Sequence, residues 1–287
     1  MMPKSQIHPD HLAELLRFYA DAGVDEAMED EPINRFEERA PAQVPKAAAP
    51  SVPDRSAAPS PQRPPAAPAE ARPAMPAAIP DEAQAARARD LARSAGSLAE
   101  LKQLLADFDG CNLKYTAKNL VFADGNPEAD IMFVGEAPGR DEDLEGLPFV
   151  GRSGRLLDRM LAAIGLDRTT AYISNVIPWR PPGNRDPSPL ETEICRPFIE
   201  RHIELMNPKV LVTLGNPSTK LLLRTQTGIM RMRGNWSVHA TPGGVQIPTM
   251  PTLHPAYLLR NPAHKKLAWR DFVAIKVKLR QLGESRT

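Results

Sequence analysis

Glu136, Phe149, Asn175 and His254 are residue types that together can hold and attack a flat polar ring. A phenyl face is a stacking platform. A side-chain amide sets one donor beside one acceptor, which suits the edge of a nucleobase. Two of the four lie in GEAPGRDEDLEGLPFVGRSG (135–154), which crowds five glycines, two prolines and five acidic residues into twenty positions around one Phe-Val pair. Glycine keeps such a loop thin, so backbone N–H groups between Gly135 and Gly139 can approach a ligand. The helical pattern starting near Ser153 aims its N-terminus at the same place, a seat for a phosphate. Aromatic face, amide edge, imidazole and phosphate seat together point to an extruded nucleobase. Each residue has a plainer meaning when taken singly. A lone Phe is core, a strand-end Asn is a turn residue, and a His before Pro is a satisfied hydrogen-bonder. GEAPG alone is a turn without the Lys and Ser/Thr of a Walker loop. Their order along the chain carries the reading.

The elements that must position these residues follow from the apolar pattern. Four short runs rich in β-branched residues, DIMFVGE (130–136), AYISNVI (171–177), KVLVTLG (209–215) and IPTMPTLHP (247–255), read as buried strands. Helical patterns separate them. In GRLLDRMLAAIG, Leu156, Leu157, Met160, Leu161 and Ile164 fall on one face, and LETEICRPFIERHIEL and PSTKLLLRT follow. Alternating strands and helices predict an α/β fold, a parallel sheet flanked by helices on both faces. Ligands bind such sheets beyond the carboxyl ends of the strands. Glu136, Asn175, Gly215 and His254 all fall at or near those ends, so the four runs place them on one rim.

The 287-residue chain is uneven in composition. Residues 1–40 hold ten Asp/Glu against four Lys/Arg, and DHLAELLRFYADAG (10–23) has helical spacing of Leu12, Leu15, Leu16 and Tyr19. This acidic head reads equally as a solvated helix or as a docking segment for a protein partner. Residues 41–80 hold twelve of the 31 prolines and almost no large apolar side chains, so they read as a disordered linker. Residues 81–287 form the expected folded domain, opening with helices at 82–94 and 98–107; Ser97 and Glu100 have capping-box spacing. The net charge of +1 neither favours nor excludes nucleic acid, but from Arg260 onward eight Lys/Arg face two Asp/Glu, a local basic patch. Two cysteines are too few for a disulfide framework and fit a reducing compartment. MMPKSQIHPDHL lacks a signal-peptide core, and no run is long and apolar enough for a membrane span, so a cytoplasmic monomer is expected.

GEAPGRDED, GLPFVGRSGRLLD, YISNVIPWRPPGNRDP, the Cys195–Pro197 region and TLHPAYLLR together resemble the family 4 uracil-DNA glycosylases, from about Cys111 to Leu279. The resemblance implies a four-stranded parallel sheet between helices and a monofunctional hydrolase. Such an enzyme cleaves the bond between uracil and deoxyribose in DNA and initiates base-excision repair. It makes Phe149 the platform under uracil and Asn175 the reader of its polar edge, with Gly135 and Gly139 beside it. His254 would stabilise the departing base, and Glu136 lies in the water-activating motif. Arg152, Ser153, Leu258, Leu259 and Arg260 are candidate DNA contacts, the two leucines as wedges filling the gap left by the extruded base; the same residues also read as core leucines and a solvated arginine. The basic loop through which a related branch traps DNA with a His is RPPGNRDPSP here and has none, so no covalent trapping is expected.

The same resemblance implies an iron–sulfur cluster on four cysteines. Cys111 and Cys195 match the second and fourth of these ligands, but Phe108 and Trp179 stand at the first and third. A cubane of this class wants four thiolates, so no cluster and no other cofactor or metal is expected. The altered region keeps a second class open, a non-catalytic DNA-binding or interaction module on a glycosylase scaffold. Base release on turnover separates the two.

Overall fold

The computed structural model describes residues 82–284; the acidic head and the linker lie outside the described residues. Order begins with helix α1 (Glu82–Ser94) and helix α2 (Leu98–Asp107). In α1 the small residues Ala85, Ala88 and Ala92 form a buried stripe. Ser97 caps α2 by accepting the Glu100 N–H at 3.2 Å. Glu100 does not return the bond to Ser97 as a full capping box requires, but accepts from Gly96 N at 2.7 Å. A short helix α3 (Leu113–Thr116) leads to strand β1 (Ala123–Gly125).

The four expected strands form as β2 (Ile131–Gly135), β3 (Tyr172–Asn175), β4 (Val210–Leu214) and β6 (Gln246–Thr252). They lie parallel, in the order β3-β2-β4-β6. Two edge strands were not legible in the apolar pattern. β1 adds antiparallel to β3, and β5 (Ser237–Ala240) adds antiparallel to β6, giving a six-stranded mixed sheet. β1 has three residues and no apolar run, and β5 exposes Val238, so neither carries the signature of a buried strand.

Helix α4 (Arg140–Glu145) and helix α5 (Arg152–Ala163) follow β2. Helix α6 (Pro189–Met206) follows β3, with a complete capping box between Ser188 and Glu191. Helix α7 (Asn216–Leu222) and helix α8 (Ile229–Met232) connect β4 to β5. Helix α9 (Pro255–Arg260) and helix α10 (Lys265–Glu284) close the domain. The pleat of β2 shows how the layers are built. Ile131 and Phe133 join Leu157 and Leu161 of α5 and Phe272 and Ile275 of α10 in one core. Met132 and Val134 point the other way, into a second core with α1, α2 and α6.

The apolar face expected on α5 is divided. Leu157, Leu161 and Ile164 enter the sheet-facing core, while Leu156 and Met160 pack on a satellite cluster of Leu253, Leu258 and Ala268. No helix among the described residues is long and apolar enough to cross a membrane.

Candidate active site

The carboxyl ends of β2, β3, β4 and β6 open into a cavity of about 510 Å³. Glu136, Gly139, Phe149, Ser153, Asn175, His254 and Arg260 line it, so seven of the residues singled out in the sequence come together. Gly135 stands just beneath. It pairs with Asn175 across β2 and β3, and an added Cβ would meet Phe149 Cζ at 2.6 Å and would also collide with Asn175 Oδ1. Only glycine leaves room for both groups to sit over the strand end.

Asn175 is the last residue of β3 and is buried. Its Oδ1 has no hydrogen-bond partner. A buried, unsatisfied carbonyl is costly unless a ligand completes it, and this one is an acceptor awaiting a donor. Phe149 is 4% exposed and adopts a positive φ of 55°, uncommon for a bulky residue. Its ring lies 5.4 Å from the His254 ring at 32°.

His254 caps α9, its Nδ1 accepting the Ala256 N–H at 3.1 Å. The ring proton of the neutral form therefore sits on Nε2, free to donate. Burial first and the Arg260 charge second bring its pKa down to about 4, so the imidazole is neutral at physiological pH. Gly215, at φ 93°, admits it: a Cβ there would lie 3.0 Å from His254 Cβ. Burial, reinforced by the negative charge of Asp186, raises the pKa of Glu136 above the usual glutamate value. A carboxylate so raised is a better proton acceptor when ionised.

The acidic residues of the 135–154 loop turn out to hold it together. Glu142 Oε2 accepts Gly139 N at 3.0 Å, and its Oε1 accepts Val150 N and Gly151 N, each at 3.1 Å. Buried Asp143 accepts Lys118 N at 2.7 Å and Asn119 N at 3.2 Å. The loop is thus folded around Glu142 and faces the cavity with its backbone. Glu142, Asp186 and Met230 also line the cavity and escaped the sequence reading. Glu142 on α4 and Met230 on α8 are ordinary helix residues and Asp186 an ordinary loop residue by type, and nothing in local spacing marks them.

A second cavity, of about 460 Å³, abuts the first. Arg140, Arg152, Leu259 and Arg260 line it with Ser153. This puts Arg152, Ser153, Leu259 and Arg260 at one lip, where three arginines meet the acidic pair Asp141 and Glu142. Leu258 is elsewhere. It is 1% exposed and packs with Leu253 and Ala268, so it is a core residue and cannot serve as a wedge where it stands. On a helix, adjacent residues point in different directions, and of the two leucines only Leu259, 36% exposed, reaches the surface.

The region where the resemblance implies a cluster is packed differently from a metal site. Cys111 and Cys195 are buried, with their sulfurs 4.0 Å apart. Phe108 and Trp179 are buried in the same core layer, and Phe108 packs on Phe198 with ring centroids 5.2 Å apart. The donor set is two thiols and two carbon rings, which does not fit a four-thiolate cluster. Among the described residues no group of three or more His, Cys, Asp or Glu side chains is placed to hold a metal ion.

Comparison with known proteins agrees with this geometry. Residues 122–273 match the family model described as the uracil DNA glycosylase superfamily. A type-4 uracil-DNA glycosylase of Sulfurisphaera tokodaii is 40% identical over 188 residues, covering 63% of this chain and 84% of that protein. One from Saccharolobus solfataricus is 41% identical over 174 residues, 58% of this chain and 79% of its own length. A third, from Archaeoglobus fulgidus, is 42% identical over 169 residues, 58% of this chain and 84% of that one. With more than half its length matched and a cavity of the right chemistry at the strand ends, the chain belongs to the uracil DNA glycosylase superfamily.

Proposed function

We propose that this protein is a uracil-DNA glycosylase that hydrolyses the N-glycosidic bond of uracil in DNA, leaves an abasic site and so initiates base-excision repair. The observation that carries this reading is the buried, unpartnered Oδ1 of Asn175, a residue that lines the cavity with Phe149 and His254. Uracil presents an N3–H donor next to the O4 acceptor. Asn175 Oδ1 takes the first and its amide N–H gives to the second, while Phe149 supports the ring face.

As the bond between N1 and C1′ breaks, the electron pair leaves with the base and the sugar becomes cationic. The anion spreads over N1 and O2. His254 Nε2–H, in a neutral ring, donates to O2, and N–H groups of the 135–139 turn add to it. One such donor is typically worth about 3–4 kcal/mol in the barrier. Water adds to C1′ and gives its proton to ionised Glu136, so the product carries a 1′-hydroxyl and the strand stays uncut. Arg152, Ser153 and Arg260 hold phosphates, and Leu259 fills the space vacated by the base.

The chain works without the iron–sulfur cluster, because Phe108 and Trp179 occupy two ligand positions with large buried rings. Iron analysis of the purified protein tests this separately, and a stoichiometric four irons per chain would overturn it.

The decisive experiment is single-turnover release of uracil from a labelled DNA strand by chelator-treated protein. Release is expected from the wild type. His254→Ala should slow it by roughly 100- to 1,000-fold with DNA affinity little changed. Asn175→Ala should weaken discrimination between uracil and other bases. No release by any form, with DNA bound, would favour an interaction module instead.

A further inference from the structure

Phe149 holds a conformation that an aromatic residue rarely adopts, and such a state persists only where its surroundings over-determine it. The constraint comes from a residue outside the motif loop. Arg168, half-buried in the turn between α5 and β3, donates from one terminal nitrogen to the carbonyl of Phe149. Its other terminal nitrogen donates to the carbonyl of Pro148 at 3.1 Å. Two carboxylates anchor the guanidinium: Asp124 on edge strand β1 at 2.5 Å and Asp158 on α5 at 2.9 Å. Behind the same peptide, Gly154 lets the first turn of α5 lie against Phe149; a Cβ there would stand 2.9 Å from Phe149 Cα and closer still to its carbonyl.

We infer that Arg168, held by Asp124 and Asp158, is a positioning residue that fixes the peptide of Phe149 and thereby sets the platform on which the base is seated. The inference rests on the glycosylase reading for its catalytic consequence, but not for its structural one. The planar fork matters, since two adjacent carbonyls and two carboxylates need donors in several fixed directions; an ammonium is a single point charge and cannot reproduce them. The arrangement also gives a role to β1, a strand too short to add much to the sheet: it delivers Asp124.

The test is a double-mutant cycle between Arg168→Met and Phe149→Ala, read by single-turnover uracil release and by DNA affinity. A ring displaced by about an ångström can cost roughly 100-fold in rate, so Arg168→Met should slow release about 10- to 100-fold while affinity for DNA stays within about threefold. In the Phe149→Ala background the same substitution should change the rate by less than about threefold, because residues acting as one unit are not additive. Equal slowing in both backgrounds would overturn the inference, as would an unslowed Arg168→Met.

Should Arg168→Met fail to fold, Asp158→Asn carries the same cycle with a milder loosening of the anchor. Asp158→Asn must then lower the rate in the presence of Phe149 and not in its absence; any other pattern sinks the proposal. A crystal structure of either variant gives a readout independent of activity. The positive φ of Phe149 should be lost or the loop displaced, and an unchanged Phe149 peptide would reject the clamp even if no uracil were ever released by the wild type.

Discussion

Glu136 and His254 both face the cavity, and their shifts run in opposite directions. His254 is neutral down to about pH 4, because burial and Arg260 oppose its protonated form. Glu136 protonates above the usual glutamate value, because burial and Asp186 oppose its ionised form. As pH falls from neutrality, Glu136 is therefore the first of the two to change state. The single-turnover rate should fall on the acid side through the titration of Glu136, and Glu136→Gln should be slower throughout and lack that limb. An acid limb that survives in Glu136→Gln would assign it to another group.

Stability responds with its own sign. A carboxyl whose folded pKa is raised stabilises the fold below its unfolded pKa and loses that contribution as pH rises through the folded value. Above its folded pKa the ionised, half-buried Glu136 is thus a liability, and Glu136→Gln should raise the melting temperature there while lowering activity. This is the trade expected of a site that keeps a charge in a poorly solvated place.

At the scale of elements, α9 separates two neighbours that look identical in sequence. Leu258→Ala empties a place in the cluster with Leu253 and Ala268, and should cost about 2–5 kcal/mol of stability, the usual range for a buried leucine. Leu259→Ala touches no core and should leave stability within about 0.5 kcal/mol. It should instead slow release from double-stranded DNA more than from a single strand, where no gap opens in a base stack. Thermal melts and paired substrates distinguish the two variants; the reverse assignment would make Leu258 the wedge.

The pair also shows where sequence legibility ends. The four parallel strands were readable because each is buried along nearly its whole length and lies in a run dense in apolar and β-branched residues, and the rim residues followed from the ends of those strands. The edge strands β1 and β5 were not, since one is too short and the other half-exposed. Glu142 and Arg168 were invisible for a different reason. Glu142 binds backbone N–H groups and Arg168 two backbone carbonyls, and a backbone hydrogen bond leaves no mark on residue type; the carboxylates that anchor Arg168, Asp124 and Asp158, stand on two different elements that only the fold brings together.

For the whole molecule, the question is how much of the chain the chemistry needs. All the described cavity residues fall between Glu136 and Arg260, and the cores that support them draw on residues from Ala85 to Leu282. The aligned parts of the relatives likewise lie within about two thirds of this chain. A protein starting at residue 81 should therefore fold and release uracil from a short strand at a rate within about twofold of the full chain, since it keeps every described cavity and core residue.

The cut cannot move much further. Ala85, Ala88, Ala92 and Ala95 are buried in the same layer as Phe108, Trp179 and Cys195, and Arg201 donates to the carbonyl of Ala95 at 3.0 and 2.7 Å. A protein starting at Leu98 would expose that face of α6, leave the Arg201 guanidinium with its Glu204 ion pair but without the Ala95 carbonyl, and uncover the aromatic pair that stands in the cysteine positions. It should melt well below the longer form or fail to fold. Rates and melting temperatures of the two truncated proteins settle the boundary: a slow but fully folded chain from residue 81 would mean that the acidic head or the linker takes part in catalysis.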